Sequence, residues 1–291
     1  MVDVGARVVV RYRLPAGSVP PLTDVIGHLE AVGPTLSVRT KRGELVDIST
    51  DDVVTIKTLG AAPVRTGDIR NLEHAAALAW PGVEHAVVGG WLLRFGHGVT
   101  RRANSAVPLD VYGGIDVVVD WYAARGVTPL VAAPDRLLRM PPGVPTDAET
   151  VIMTGELEPG GSGAVDITDA PDDNWLRLYR REVPVDVLTA VVDGEVAFGL
   201  LGGAAVGRAA VTQAPDGTRW VGLSAVHVIE EARRRGLARD LCSALLAWGG
   251  ERGATRAYVQ VLADNAAASR LYESMGFSVH HRSRYVDARN L

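Results

Sequence analysis

Little in this sequence speaks for a disulfide, a metal or a membrane. Cys242 is the only cysteine, which excludes an internal disulfide and a cysteine-cluster metal site. It sits among Leu241, Ala244 and Leu245, so a buried structural thiol is expected. The 7 His residues are scattered and no two have H-x-x-x-H spacing, so no metal is expected. No apolar run reaches the roughly 18–20 residues of a spanning helix, and no membrane partner is expected. The start, Met1-Val2-Asp3-Val4-Gly5-Ala6-Arg7, lacks a basic stretch followed by an apolar core, so a cytoplasmic protein is expected. Lysine is nearly absent, with Lys41 and Lys57 alone. Aromatics are sparse in the first fifth, where Tyr12 is the only one in residues 1–58. That argues against a base-stacking nucleic-acid surface.

The 291 residues, 47% of them hydrophobic and 22% charged, suffice for two domains or three small ones around a large core. The net charge of −4 is uneven. Residues 219–291 carry 11 Arg against 7 Asp plus Glu, a local +4, which leaves −8 for the rest. A basic segment of this kind can mark a site for a polyanion.

Residues 7–12, 24–32, 35–40, 45–48 and 53–57 read as short strands, with one helical turn at Ser49 to Asp52. Five strands in so short a stretch predict a small SH3-like or Sm-like barrel over 1–60. From Asp68 to Trp80 the spacing of Leu72, Ala76 and Ala79 predicts a helix ended by Pro81-Gly82. A hairpin over 87–109 turning at Gly96-His97-Gly98, a helix over 115–125 and strands over 128–133 and 150–157 complete a unit over 61–158. Glu158-Pro159-Gly160-Gly161-Ser162-Gly163 reads as a linker. The pattern then restarts over 164–291. A strand at 165–167 leads to a helix capped by Asp169, a hairpin over 195–213 turning at Gly207, and a strand over 220–229. The similar element order of the two stretches predicts a degenerate tandem repeat. The expected fold class is α+β, with mixed, mostly antiparallel sheets.

The strongest chemical signal is Val228-Ile229-Glu230-Glu231-Ala232-Arg233-Arg234-Arg235-Gly236-Leu237-Ala238, which reads strand, basic loop, helix. Leu237, Leu241, Leu245 and Trp248 give that helix an apolar stripe. Free N–H groups at a helix start bind anions, small Gly236 and Ala238 allow close approach, and arginines add charge-assisted bonds. This is the chemistry of a pyrophosphate site, although an Arg-rich turn on a surface helix has the same letters. One strand later comes Asp264-Asn265-Ala266-Ala267-Ala268-Ser269-Arg270-Leu271-Tyr272-Glu273-Ser274-Met275-Gly276-Phe277. Asn265 is a plausible N-cap and Gly276 a helix stop.

Together the R-x-x-G-x-A loop and N-x-x-A-x-x-L-Y-x-x-x-G-F resemble the core of the GNAT (GCN5-related N-acetyltransferase) superfamily, in this order and spacing. Glu230 departs from the proline common before the loop. The resemblance implies acetyl-CoA as cosubstrate, lying where strands 220–229 and 256–262 part. Backbone groups of Val226, His227 and Val228 would face its pantetheine arm, and Asn265 would contact it. Arg233, Arg234, Arg235, Gly236, Leu237, Ala238 and Arg239 would hold the pyrophosphate. Tyr272 would protonate the departing thiolate, unless it is a buried core tyrosine. For the general base the strand offers no carboxylate. Simple alternation gives Ser224 the face of Val226 and His227 the opposite face. His227 titrates in the right range, His280 and His281 are further candidates, and a water chain would also serve.

In the middle third, Gly90-Trp91-Leu92-Leu93-Arg94 and Thr100-Arg101-Arg102-Ala103-Asn104-Ser105 resemble a hairpin of actinobacterial GNAT proteins. In these a small barrel precedes a degenerate half and an intact one. The middle third has Val111-Tyr112-Gly113-Gly114 in place of a phosphate loop, so it is not expected to bind acetyl-CoA. Arg102 and Asn104 are candidates for substrate contact or for a structural hairpin. Proteins of that group are labelled histone-type lysine acetyltransferases or N-acetylglutamate synthases. The acceptor is therefore either a small acidic amine, for which Arg102, Arg282 and Arg284 could supply a clamp, or a protein lysine side chain met by an acidic groove. A regulatory protein that senses acetyl-CoA without turnover is a further alternative.

Overall fold

The computed structural model describes residues 2–59, 63–110, 113–157 and 165–291. The expected Glu158–Gly163 linker, Val111-Tyr112 and the Gly60 boundary lie outside the described residues. The chain divides into two compact units, Met1–Pro63 and Val64–Leu291.

The first unit is an antiparallel sheet of β1 (Arg7–Arg13), β2 (Leu22–Ala31), β3 (Thr35–Thr40), β4 (Leu45–Ser49) and β5 (Val53–Thr58), in the order β4-β3-β2-β1-β5. Alternate residues Val8, Val10, Val25, Leu29, Leu36, Val38 and Ile48 form its core, as a one-sided antiparallel sheet requires. The turn at Thr50–Asp52 is a single 3-10 turn whose cap is Ser49. Among the described residues β4 and β5 are the sheet's two edges.

The second unit begins with α1 (Thr66–Leu78) and continues through β6 (Glu84–Val88), β7 (Trp91–Phe95), β8 (Ser105–Pro108), α2 (Asp116–Ala123), β9 (Leu130–Pro134) and β10 (Asp147–Glu156). It then runs through β11 (Val165–Thr168), α3 (Asp173–Tyr179), α4 (Val185–Thr189), β12 (Glu195–Leu201), β13 (Ala205–Gln213), β14 (Arg219–Val228), α5 (Leu237–Glu251), β15 (Arg256–Leu262), α6 (Ala266–Glu273) and β16 (Ser278–Asp287). Three sequence expectations shift. The first hairpin joins β6 to β7 through Gly89-Gly90, both at positive φ, and Gly96-His97-Gly98 links β7 to β8 instead. The later hairpin turns at Gly202-Gly203 rather than Gly207. The cap of α3 is Asp172, whose carboxylate accepts from the Trp175 N–H, rather than Asp169.

All eleven strands of this unit share one sheet, ordered β11-β12-β13-β14-β15-β10-β16-β9-β8-β7-β6. Two pairs are parallel, β14 with β15 and β8 with β9. Each is joined by a helical crossover, α5 and α2 respectively, as parallel neighbours demand. The centre is an exchange. β10, the last strand of the first half, pairs with β15 and β16 of the second. β16, the last strand of the second, pairs with β9 of the first. Helix α1 crosses over as well. Its Leu72, Ala75 and Ala76 bury against Ile152, Trp220 and Tyr258, while Leu241, Leu245 and Trp248 of α5 cover the other face with Val221 and Val259.

This exchange predicts that residues 165–291 produced alone do not fold cooperatively, because β15 would lose one ladder partner and β16 both. Circular dichroism and urea unfolding would show a non-cooperative transition, and a separately made 64–157 fragment should restore a cooperative one.

Candidate active site

β14 and β15 pair from Trp220 with Arg256 to Leu223 with Val259, and there the pairing ends. β14 runs on to Val228 and β15 to Leu262. The cause lies on the other edge of β14. Arg208 of β13 faces Ser224, and Val206 faces His227, so Gly207 stands opposite both Ala225 and Val226. This is a bulge, with Ala225 at φ 54. Bulges bend the strand that carries them, and here the strands part beyond it.

The bulge also corrects the expected side-chain faces. Leu223, Val226 and Val228 all pack in the core beneath α5. Ala225 packs on the opposite side with Trp80 and Trp175. Ser224 therefore does not share the face of Val226, and His227 falls on the side of Ser224. Beyond Leu223, the edge of β14 turned toward β15 has no strand partner among the described residues.

A loop follows β14. After a 3-10 turn at Glu230–Ala232, Arg234 (φ 63) and Gly236 (φ 85) both adopt left-handed backbone, and α5 starts at Leu237 with no side chain capping it. Such a concave run of N–H groups at a helix start is an anion nest. Gly236 is needed for its φ, since an added Cβ would meet nothing closer than 3.9 Å. Arg233, Arg234 and Arg235 are exposed. Arg234 and Arg235 have no ion pair among the described residues, while Arg233 Nε donates to the Val228 carbonyl at 3.3 Å. Arg239 is committed elsewhere. Its guanidinium donates to the Ser274 carbonyl at 3.1 Å and Oγ at 2.6 Å, tying α5 to the end of α6. Its N–H donates to the Gly236 carbonyl. Leu237 and Ala238, in the first turn of α5, are half-buried.

Asn265 caps α6, its Oδ1 accepting from the Ala268 N–H at 3.1 Å. Tyr272 is 6% exposed and packs in the same core as Val226, Val228, Val259 and Val261, the side chains flanking the opening. Its side chain shares that core with the buried thiol of Cys242. Burial holds the phenol well above its ordinary range and pushes the Cys242 thiol up to about 12. Tyr272 thus keeps its proton. His227 is half-buried, and its Nε2 has no hydrogen-bond partner among the described residues. Burial, then Arg233, Arg180 and Arg181, hold its imidazole below the ordinary range and so neutral. His281 and His280 lie away from the opening. On β16, beyond β10, His281 Nε2 meets Glu73 at 2.8 Å and its Nδ1 meets His280 Nδ1 at 2.8 Å.

The remaining candidates separate. Asn104 is consumed by its own loop. Its Oδ1 accepts from the Gly96 and Gly98 N–H groups, and its amide donates to the Val99 and Thr100 carbonyls. Arg282 and Arg284 both pair with Glu149 across β10 and β16. Arg102 alone faces the region where β14 and β15 part. It lines a small cavity with Trp80, Arg208, Ser224, Tyr258 and Gln260. Sequence reading missed Arg208 and Tyr258. A faint signal existed for the first: a lone arginine amid Ala205-Val206-Gly207 and Ala209-Ala210-Val211, a run that reads as buried on both faces. Nothing local marked Tyr258, which is placed over Gly222, where a Cβ would come within 2.2 Å of its ring.

Comparison with known proteins follows the same lines. A family model described as "Probable histone acetyltransferase Rv0428c C-terminal" matches residues 66–286, and one described as "Rv0428c N-terminal Sm-like domain" matches residues 2–57. The "Probable histone acetyltransferase Rv0428c" of Mycobacterium tuberculosis is 51% identical over 293 residues, covering 99% of this chain and 96% of that protein. An "Uncharacterized N-acetyltransferase YobR" of Bacillus subtilis is 26% identical over 245 residues, 72% of this chain and 95% of its own length. Among solved structures, a GCN5-related N-acetyltransferase from Kribbella flavida superimposes with a TM-score of 0.54 at 16% identity, covering 76% of this chain and 96% of its own.

Replacing Gly236 by Val should strain the nest by about 1 kcal/mol or more, since φ 85 suits only glycine. Acetyl-CoA binding measured by calorimetry should weaken while the unfolding midpoint shifts little. Cys242, buried and with its thiol held at about 12, should stay unreactive toward a thiol reagent at pH 8 until denaturant is added.

Proposed function

This chain belongs to the Rv0428c family of GNAT-type N-acetyltransferases, and from that premise we propose that it moves an acetyl group directly from acetyl-CoA to the primary amine of a small acidic acceptor. The α-amine of glutamate is one such amine. The observation that carries the reading is the parting of β14 and β15 immediately ahead of the Arg233–Gly236 nest. The unpaired edge of β14 can accept an extended amide-bearing arm as a strand would. The nest and its exposed arginines suit the pyrophosphate.

In the proposed transfer the amine nitrogen attacks the thioester carbonyl carbon. The C–N bond forms, the C–S bond breaks, and the thiolate takes the Tyr272 proton. The ammonium proton leaves toward His227, directly or through water. A neutral imidazole can accept it, and its depressed pKa keeps it neutral in mildly acid solution. Asn265 would touch the pantetheine arm with the amide end that capping leaves free. The N-terminal sheet is read as a small Sm-like or SH3-like barrel accessory to transfer.

A second reading, a protein lysine as acceptor, is favoured by the name of the relative with 51% identity. CoA release measured across free amino acids and lysine peptides decides between the two. Binding without amine-dependent release would instead favour a sensor. Tyr272→Phe should lower kcat by about 100-fold, within the usual range for a lost general acid. With His227 as base, kcat/KM should fall only below the ordinary imidazole value near 6.5. The acid limb should then vanish in His227→Gln; an unchanged limb would assign the base elsewhere.

A further inference from the structure

Behind the point where β14 and β15 part, on the face covered by α1, lies the cavity lined by Trp80, Arg102, Arg208, Ser224, Tyr258 and Gln260. Its chemistry is lopsided. Arg208 is 1% exposed and Arg102 half-buried, and neither forms an ion pair among the described residues. Both guanidiniums lie near the Trp80 ring, at 4.4 and 5.6 Å from its centroid, so two like charges share one small space. Donors are in surplus as well. Trp80 Nε1 is buried without a partner among the described residues. Glu73, the carboxylate whose field reaches Tyr258, is bound to His281.

Arg208 is fixed in place. Its Nε donates to the Leu188 carbonyl at 2.6 Å, and Nη2 donates to the Ala79 and Ala190 carbonyls at 2.9 and 3.0 Å. These oxygens belong to the ends of α1 and α4, whose partial negative charge offsets some of the cation. The offset is incomplete: burial, with Arg102 adding repulsion, drags the guanidinium down to about 9. Buried charge without a counter-ion is costly, and an arriving anion relieves it. The space, about 10 Å³, takes one carboxylate oxygen as it stands, and a shift of the half-buried Arg102 has to admit the second.

The geometry points to this cavity as a carboxylate-binding subsite for the acceptor, with Arg208 as the fixed and Arg102 as the adjustable half of the clamp, and Tyr258 and Trp80 as further donors. The inference rests on the amine-acetylating reading and adds the group that would set its selectivity. Arg208 spends Nε and Nη2 on carbonyls and one Nη1 hydrogen on Ser224 Oγ at 3.4 Å, so it offers a single N–H while the fork of Arg102 supplies the rest, and Ser224 in the cavity wall puts that carboxylate next to the parted strands. Selectivity would then act on KM for the acid-bearing amine.

The test compares kcat/KM for free amino acids with that for their amides, in the wild-type full chain, Arg102→Gln and Arg102→Lys. Acetyl-CoA binding is measured alongside as the check on folding. The wild type should prefer the acids by about 10–100-fold, the scale of one charge-assisted hydrogen-bond pair. Arg102→Gln should bring the ratio close to one through KM, and Arg102→Lys should keep part of it. A wild-type ratio near one, or a ratio unmoved by Arg102→Gln, overturns the subsite. A second arm needs no turnover: millimolar glutarate, which has no amine, should raise the wild-type melting temperature and not that of Arg102→Gln. If glutarate stabilises but does not compete with the amine, the carboxylate belongs to a separate effector, and the acceptor assignment falls. If glutarate stabilises only the wild type while no amine is acetylated, the subsite stands and the transferase reading fails. If glutarate stabilises both proteins or neither, and no amine is acetylated, the subsite falls.

Discussion

One buried guanidinium organises the larger unit. Arg208 sits in the middle of β13 and gathers the carbonyls of Ala79, Leu188 and Ala190. One of these comes from the first half of the unit and two from the second. Three backbone oxygens at helix ends, which would otherwise be buried and unsatisfied, find their donors in a single side chain. The same residue faces Ser224 across the ladder, one position before the bulge. The packing of α1, the seating of α4 and the start of the strand parting thus converge on one cation. A hydrophobic side chain of similar volume could fill the space but could not satisfy three acceptors.

The parting itself is an economical construction. Two residues of β14 opposite one of β13 turn the strand enough to end its pairing with β15, and no large rearrangement of the sheet is needed. The helix that follows on the crossover presents uncapped N–H groups at the same end of the sheet. Strand edge and helix start are therefore products of a single βαβ connection, and their spacing is fixed by the Glu230–Gly236 loop. The two faces of the bulged strand have different characters. Val226 and Val228 complete the apolar core under α5, whereas Ser224 and His227 look toward the side on which Arg102, Arg208 and Tyr258 stand.

Much of this was legible in the amino-acid order. Gly236 and the arginines before it announced the nest, because left-handed backbone and free N–H groups need those residue types. Asn265 announced its cap, and the stripe of Leu241, Leu245 and Trp248 announced the buried face of α5. What could not be read were features set by partners distant in sequence. The bulge at Ala225 has no residue signature and arises from register against β13, so the assignment of Ser224 to the face of Val226 failed. Arg282 and Arg284 looked like free clamps until Glu149 was found opposite both. Asn104 looked like a substrate contact but is spent on four backbone groups of its own loop. Both hairpin turns were misplaced for one reason: several glycines were available, and only the strand ladders select among them.

The exchange of final strands has a bearing on how this chain is made. β9 (Leu130–Pro134) emerges from the ribosome well before the neighbour that completes it, the Ser283–Asp287 part of β16. The first half must therefore wait with an open edge while the second is being synthesised. Open edges invite pairing with other chains, and long-range strand pairing is slow to form. Maturation of this unit is consequently a single late event. A ribosome stalled within α5 would release a chain in which neither half is closed, and such a product is matter for chaperones and proteases rather than a half-active enzyme.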